Sequence, residues 1–300
     1  MTPEEKQKAL KAGQIAKEVR DWIKPQIKKG MLLIEIANMI DSKMEELGGK
    51  PAFPVSLAID NVAAHFTPAH DDKTVAHGLL KVDFGAHIDG WISDNAFSID
   101  LENNPENAKV IEASEEALTN ALKTVKKGLP ISSVGRVIEE TITGKGLEPI
   151  RNLSGHSMER FNLHAGTSVP NFDNNSSAVF EPGLYAIEPF ATTGLGRVHD
   201  GKPTDVYQLV SEKNVRSPIA REILRFIIQE YNELPFSSTW IMKKFGAKTM
   251  FGLRELEQNG NLHHYNELVE SASNANNPKV AQTEHTILIE EEGKITVTTL

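Results

Sequence analysis

The stretch Lys81–Ile99, KVDFGAHIDGWISDNAFSI, decides the fold, because strand-forming residues on both sides of the segment HIDG predict a β-hairpin. Folding the hairpin between Ile88 and Asp89 makes Asp83 and Asp94 direct cross-strand partners, with Cβ atoms roughly 5 Å apart on one face. Two carboxylates so placed repel each other, which favours a protonated group or a bound cation between them. A register shifted by one residue would instead turn one of the two aspartates to solvent.

The composition limits the classes of protein to be considered. The 300 residues are 39% hydrophobic and 24% charged, as is typical of a soluble globular protein. A formal net charge of −9 argues against a broad surface for nucleic acid or anionic membrane. The absence of cysteine excludes disulfides and thiolate metal sites, so a metal would need His, Asp, Glu and water. No apolar run approaches the roughly 20 residues of a membrane span, and the polar start MTPEE is not a secretory signal, so we expect a cytoplasmic protein.

Two parts of the chain repeat the same order of predicted elements. A helix that starts at Thr2 ends at the sequence KKG, residues 28–30, and a second helix follows it. A helix that starts at Asn104 ends at KKG again, residues 126–128, and is followed by a helix over residues 134–142. Predicted strands come after each pair of helices. The repetition predicts a duplicated α+β unit with a functional site between its two halves.

Three further side chains are candidates to complete a site with the two aspartates. His156 lies in the segment SGHS, where a structural loop histidine is the usual alternative to a ligand. Glu188 interrupts an apolar run before a proline, and Glu284 lies on a strand predicted over Gln282–Glu290. A buried carboxylate needs a partner, whereas either glutamate would be ordinary at a solvated strand end or on an edge strand.

Residues 211–270 break the repeat. Apolar residues recur there with helical spacing, and helices are predicted to begin at Ser217, Ser238 and Leu253. A helix-turn-helix role would need a basic surface, whereas the charge of this segment is mixed. We therefore expect a helical insertion subdomain over residues 211–270, beside a main domain of residues 1–210 and 271–300.

The order Asp83, Asp94, His156, Glu188, Glu284 supports a family resemblance. The chain resembles the methionine aminopeptidases of the second type, in an archaeal-like form without a charged N-terminal extension, so ribosome attachment through such a tail is not expected. The resemblance implies the pita-bread (creatinase/aminopeptidase) fold, an α+β fold with pseudo-twofold duplicated halves around a curved antiparallel sheet, plus the helical insertion. It rests on five motifs: PAFPVSLAIDNVAAHFTP (51–68), VDFGAHIDGWISDNAF (82–97), SGHSMERFNLHAG (154–166), EPGLYAIEPFATTGLGRV (181–198) and QTEHT (282–286).

The resemblance implies a centre of two divalent metal ions. In that family, the residue matching Asp83 chelates one ion, and those matching Asp94 and Glu284 bridge both. His156 and Glu188 complete the second ion. The expected cofactors are therefore two ions of Co²⁺, Mn²⁺, Fe²⁺ or Zn²⁺, and four carboxylates with one imidazole suit Mn²⁺, Fe²⁺ or Co²⁺ more than a structural zinc site.

The resemblance also implies catalytic and substrate-binding side chains. His65 in AAHFTP matches the histidine that contacts the scissile peptide, and His164 in LHAG matches the one that hydrogen-bonds the substrate carbonyl. Glu188 would take a proton from the attacking water and pass it to the leaving amine. Besides the two histidines, the substrate pocket is expected to include Phe53, His199 and Tyr265.

The implied activity is removal of the N-terminal methionine from newly made proteins, by a monomer that binds neither nucleic acid nor membrane. Two alternatives stay open. The first is a proline-directed enzyme of the same fold, an Xaa-Pro aminopeptidase or prolidase, although such relatives usually carry a large domain before the first motif. The second is a metal-free adaptor with this fold, although such relatives lose ligands and all five ligand positions are intact here.

Overall fold

The computed structural model describes residues 1–272 and 277–300, so the expected main-domain segment 271–300 is covered except for residues 273–276. None of the described helices is long and apolar enough to span a membrane. The helices are α1 (Pro3–Ile23), α2 (Leu33–Glu46), α3 (Pro105–Thr124), α4 (Ile131–Gly144), α5 (Pro218–Glu230), α6 (Ser238–Phe245) and α7 (Thr249–Gln258). The strands are β1 (Lys50–Pro51), β2 (Ser56–Ile59), β3 (Val62–Ala64), β4 (Leu79–Ile88), β5 (Trp91–Asp100), β6 (Glu148–Pro149), β7 (Ser154–Met158), β8 (Ser168–Pro170), β9 (Gly183–Ile187), β10 (Phe190–Thr192), β11 (Val198–Leu209), β12 (Leu262–Glu270), β13 (Val280–Gln282), β14 (Glu284–Ile289) and β15 (Ile295–Val297).

The predicted hairpin is present as β4 and β5, but its register differs from the prediction. The strands are joined by the two-residue turn Asp89–Gly90, whose φ angles of 50° and 81° match a type I′ turn. This turn pairs Asp94 with Gly85 and Asp83 with Ala96, so the predicted direct pairing of the two aspartates is wrong. Because the pairing differs by two residues rather than one, both aspartates still project from the same face of the sheet.

In the part of the chain that the structure describes, the main sheet has nine strands and joins the two halves. Its order is β1-β4-β5-β14-β9-β7-β8, with β2 also paired to β4 and β15 to β14. The strand β14, close to the end of the sequence, lies between β5 of the first half and β9 of the second, and it pairs antiparallel with both. Two three-stranded sheets, β13-β10-β6 and β11-β12-β3, complete the fold.

The predicted duplication is confirmed by equivalent contacts in the two halves. The helices α1 and α2 pack against β4 and β5, and α3 and α4 pack against β9 and β14. Gly30 and Gly128 follow α1 and α3, with φ angles of 88° and 77° that favour glycine. The N–H of Gly30 donates to the carbonyl oxygen of Ala76, and that of Gly128 donates to the carbonyl oxygen of Phe180. The same backbone conformation and the same kind of hydrogen bond therefore follow the first helix of each repeat.

The segment predicted as a helical insertion contains α5, α6 and α7 but ends in a strand. The helices share a hydrophobic core that includes Ile223, Ile227 and Leu256. The last nine residues, Leu262–Glu270, form β12, which pairs with β11 and β3, so the predicted helical insertion also contains a strand. The alternation of apolar and polar side chains is weak in this stretch, and the strands with which it pairs lie far away in the sequence. Strand formation here therefore depends on tertiary contacts.

Gly155, on β7, provides a test of how closely the central strands must approach. A Cβ atom at Gly155 would lie 2.2 Å from the carbonyl oxygen of Ala186 on the neighbouring β9. We expect Gly155→Ala to push the strands apart and to lower the free energy of unfolding by about 2 kcal/mol, measured by urea denaturation. Gly144→Ala is the matched control. Gly144 ends α4, none of the residues in 1–272 and 277–300 has an atom within 4 Å of an added Cβ there, and a methyl group should be tolerated. Equal stability of the two variants would contradict this account.

Candidate metal centre

Five neighbouring strands of the main sheet bring the predicted ligands together. Asp83 lies on β4, Asp94 on β5 and Glu284 on β14. Glu188 directly follows β9, and His156 lies on β7. These strands are adjacent in the order β4-β5-β14-β9-β7, so each contributes one side chain. Residues separated by about 200 positions in the sequence therefore line one cavity.

The imidazole of His156 lies close to two of the carboxylates. Its Nε2 atom is 3.7 Å from Asp94 Oδ2 and 3.8 Å from Glu188 Oε1. One ligand atom each from Asp94, His156 and Glu284 lie within 4.8 Å of one another, and all three residues are buried. These separations are too long for hydrogen bonds, and they suit groups that share an ion whose ligand bonds are about 2.0–2.2 Å long.

Gln282 contacts three of the carboxylates, a role that no sequence pattern singled out. Its amide Nε2 lies 3.1 Å from Asp83 Oδ2, 3.3 Å from Glu188 Oε2 and 3.4 Å from Glu284 Oε2. An amide has two N–H donors, so it offsets part of the repulsion but does not neutralise the charge. The signal available in the sequence was its two-residue spacing from Glu284, which places both side chains on one face of the predicted strand.

The cluster passes a simple test for metal binding. Three of its buried oxygens, Asp83 Oδ1, Asp94 Oδ1 and Glu284 Oε1, have no hydrogen-bond partner among the described residues. Burying a carboxylate oxygen without a donor is costly, so a missing cationic partner is indicated. Oxygen donors with a single imidazole suit Mn²⁺, Fe²⁺ or Co²⁺. The residues present therefore fit divalent metal ions.

Burial and mutual repulsion shift the protonation equilibria of the cluster. Burial raises the pKa of Asp83 to about 7, and burial with the nearby Asp83 charge raises the pKa of Asp94 well above its usual value. The pKa values of Glu188 and Glu284 are raised by burial and by the neighbouring carboxylates. Burial and a second imidazole lower the pKa of His156 to about 3, so this ring is neutral near pH 7 and available as a ligand.

The carboxylates line a cavity of about 280 Å³ that also contains most of the predicted substrate residues. Phe53, His65, His164 and Tyr265 all contribute to its wall. Pro235 reaches the same wall from the segment that contains α5 to α7. The cavity therefore combines a charged end with an apolar wall, whose other members are Pro54, Ala64, Leu163, Phe190, Val206 and Leu268.

Two histidines of the cavity are held next to other rings. The ring centroid of His164 lies 4.3 Å from that of His156. The ring of His65 lies 5.3 Å from that of Tyr265 in an edge-to-face arrangement. His65 has a φ of 68°, a left-handed conformation that is uncommon outside glycine and that concentrates at functional sites. Burial, aided by the nearby His164, lowers the pKa of His65 to about 4, so its ring is neutral near pH 7.

The structure does not bring His199 into the cavity. His199 is exposed on β11, its Nδ1 lies 3.3 Å from Ser271 Oγ, and it is not among the residues that line the cavity. The predicted pocket role of His199 is therefore not supported by the geometry. Val198, its neighbour on the strand, is buried, and alternation along a strand turns the next side chain outward.

Comparisons with known proteins place this geometry in a family. Residues 7–291 match the family described as metallopeptidase family M24. The methionine aminopeptidase of Methanothermobacter thermautotrophicus is 39% identical over 294 residues, which cover 96% of this chain and 97% of that protein. The methionine aminopeptidase of Thermococcus kodakarensis is 41% identical over 297 residues, which cover 97% of this chain and 98% of that protein.

Solved structures with low sequence identity share the fold. A thermophilic Arx1 is similar with a TM-score of 0.82 at 16% identity, over 99% of this chain and 91% of that chain. The methionine aminopeptidase of Thermotoga maritima has a TM-score of 0.71 at 21% identity, over 100% and 98% of the two chains. The prolidase of Pyrococcus furiosus has a TM-score of 0.63 at 18% identity, over 100% of this chain and 64% of that chain. Because its sequence matches the family model over nearly its whole length and it adopts the pita-bread fold, the chain belongs to metallopeptidase family M24.

Proposed function

We propose that this chain is a metal-dependent aminopeptidase that removes the N-terminal methionine from newly made proteins. The observation that carries the proposal is the convergence of four carboxylates and one imidazole, from five strands, at a mostly apolar cavity. The substrate class is supported by the methionine aminopeptidases that are about 40% identical to nearly the full chain. All five ligand positions carry ligand residues, which argues against a metal-free adaptor.

We assign the cluster to two divalent ions, which would be Co²⁺, Mn²⁺, Fe²⁺ or Zn²⁺. Asp83, Asp94 and Glu284, together with His156 and Glu188, would hold these ions. Four carboxylates match the charge of two such ions, which supports this number. When bound, the two ions supply the Lewis acidity that makes water a nucleophile near neutral pH.

Glu188 is assigned to proton transfer during attack on the peptide. One of its oxygens takes the proton of the attacking water, and the proton then passes to the nitrogen of the leaving amine. The carboxylate is held by a hydrogen bond from Gln282. Its Oε1 lies 3.8 Å from His156 Nε2, and its Oε2 accepts a hydrogen bond from Gln282 at 3.3 Å. A carboxylate held in a fixed position stays aligned with the water from which it takes the proton.

The two cavity histidines are assigned to the scissile peptide. A ring nitrogen of His164 donates a hydrogen bond to the carbonyl oxygen, where negative charge develops in the transition state. His65 contacts the same peptide from the wall of the cavity, and it directly follows the strand β3. Neither role requires the ring to carry a positive charge.

The apolar part of the cavity is assigned to the methionine side chain. Phe53, Leu163 and Tyr265 line it, and Tyr265 is fixed by its hydroxyl, which donates to Gln208 Oε1 at 2.6 Å. The charged end would receive the free α-amine of the substrate, which would restrict cleavage to the first residue.

We propose that residues 211–270 form a subdomain beside the main domain of residues 1–210 and 271–300. The separate hydrophobic core of α5 to α7 supports this division. Pro235 gives the subdomain a place in the substrate wall. We also place the enzyme in the cytoplasm as a monomer without nucleic-acid or membrane partners, which the net charge of −9 supports.

Peptide hydrolysis tests the proposed activity directly. The purified protein with Mn²⁺ or Co²⁺ should release methionine from a Met-Ala-Ser peptide, measured by mass spectrometry, and excess EDTA should abolish the release. An Ala-Pro-Ser peptide is the control substrate. Its preferential cleavage would indicate a proline-directed peptidase, and the lack of both turnover and bound Mn²⁺ would indicate an adaptor.

Substitutions of three residues separate substrate contact from metal binding. We expect His164→Ala to lower kcat about 10²–10³-fold, because an oxyanion donor is lost, while the Mn²⁺ content stays unchanged. Asp94→Ala should lose bound Mn²⁺, as measured by elemental analysis after gel filtration. His199→Ala is the matched control, because this exposed histidine lies outside the cavity, and its kcat should equal that of the unmodified protein. Loss of Mn²⁺ from His164→Ala would show that the assigned roles are wrong.

The stabilising effect of metal should depend on pH in a defined direction. With a raised pKa of about 7, Asp83 in the metal-free folded protein keeps a proton that the unfolded chain has already released. This group therefore makes the metal-free protein less stable as the pH rises from about 4 to 7. Mn²⁺ displaces the proton, so the rise in Tm caused by Mn²⁺ should be larger at pH 7.5 than at pH 5.5, measured by differential scanning fluorimetry. An equal rise at both pH values would contradict the assignment.

A further inference from the structure

Lys81 is a buried amine that the assigned mechanism does not use. It lies on β4 and is only 1% exposed. Its Nζ atom donates hydrogen bonds to the carbonyl oxygens of Asp60 and Val280, at 3.0 Å and 2.9 Å. The carboxylate of Asp60 pairs instead with Lys279, at 2.8 Å. Burying an amine costs free energy when its partners are carbonyls rather than a carboxylate. We therefore expect this amine to have a role in the protein that offsets the cost.

Two of the segments that Lys81 connects lead to residues of the active site. Asp83 lies two residues after Lys81 on β4, and therefore on the same face of the sheet. Asp60 lies in the turn between β2 and β3, and β3 ends one residue before His65. The hydrogen bond from Lys81 to Asp60 thus joins the strand that carries one metal ligand to the β2–β3 segment that leads to a substrate histidine.

The third segment carries two more residues of the centre. Val280 begins β13, which ends at Gln282, and β14 begins two residues later at Glu284. The N–H of Val280 also donates to the carbonyl oxygen of Asp60, at 3.1 Å. The amine of Lys81 thus binds at a point where the β2–β3 turn and β13 already meet. Loss of the amine would leave the buried carbonyl of Val280 and the partly buried carbonyl of Asp60, on separate segments, without one of their donors.

We propose that Lys81 is a positioning residue for the metal centre. Its amine holds the β2–β3 turn and β13 against β4, and it thereby sets Glu284 and Gln282 at their working distance from Asp83. The part of this proposal that concerns catalysis rests on the proposed aminopeptidase function. The part that concerns metal affinity rests only on the fit of the residues to divalent ions.

Lys81→Met tests the proposal with little change in side-chain volume. The variant keeps an apolar stem but lacks the N–H donors. We expect its Mn²⁺ affinity, measured by isothermal titration calorimetry, to fall about 10–100-fold, as it does when residues that support metal ligands are replaced. The kcat for Met-Ala-Ser should fall by a similar factor, with a smaller change in KM. Parental Mn²⁺ affinity in a folded Lys81→Met protein would overturn the proposal.

Lys279→Met is the matched control. It also removes a lysine that contacts Asp60, but this lysine binds the side-chain carboxylate rather than the backbone carbonyl. Its Mn²⁺ affinity should stay within about twofold of the parental value, because an exposed or partly exposed ion pair contributes little. Equal losses in both variants would overturn the specific role of Lys81.

Chemical rescue separates positioning from a general loss of stability. Lys81→Ala removes the stem and leaves space for a small cation with N–H donors. Ammonium chloride should raise the Mn²⁺ affinity of Lys81→Ala at least about tenfold. Tetramethylammonium chloride at the same concentration should not raise it, because this cation has no N–H donor. Circular dichroism at 25 °C would establish that the variants are folded. A folded Lys81→Ala protein that ammonium does not rescue would overturn the proposal, and so would unfolding of both Lys81 variants.

The measurement of Mn²⁺ affinity by calorimetry does not depend on the proposed activity. A parental protein that binds Mn²⁺ but releases no methionine would contradict the proposed function, and the comparison of Mn²⁺ affinities would still decide the role of Lys81. A parental protein that releases methionine, with a Lys81→Met variant of unchanged affinity and kcat, would contradict only the positioning role.

Discussion

Repulsion among four buried carboxylates is the constraint on which the rest of this structure depends. Asp83, Asp94, Glu188 and Glu284 lie in one place from which water is largely excluded, and burial raises all of their pKa values. Such a cluster opposes folding unless cations neutralise it. The chain tolerates it by mounting the side chains on paired strands, whose backbone hydrogen bonds resist separation. Rigid strands and divalent cations together thus allow the four carboxylates to stay close to one another.

The alternation of strand residues separates the core from the site. On β4, Val82 and Phe84 pack into the core formed with α1 and α2, whereas Asp83 lies in the cavity. On β14, Ile287 packs with α3 and α4, whereas Glu284 faces the other carboxylates. The charged groups thus lie on the face opposite the helix pairs, where they share the sheet with a smaller apolar cluster that includes Ile92 and Leu288. The duplicated helix pairs cover the first face, which leaves the second for ligands and substrate.

Errors of prediction in this protein have identifiable physical causes. The predicted hairpin register is wrong because the turn is formed by Asp89–Gly90. The error is two residues, so both aspartates still lie on the same face of the sheet. The pocket role of His199 stays a prediction, because the side chain is exposed on β11 and does not line the cavity. The strand β12 was missed because its partners lie more than fifty residues away. Each error concerns a feature that distant contacts decide.

The sequence by itself determined the duplicated helix pairs, the α+β class and the identity of the carboxylate and imidazole side chains, because hydrophobic periodicity, caps and residue chemistry are local properties. Only the tertiary structure decided that these side chains meet in one cavity, that Gln282 links three carboxylates, and that Lys81 joins three segments through two carbonyls. Those contacts join residues up to about 200 positions apart, and the strand order that brings them together is a property of the whole sheet.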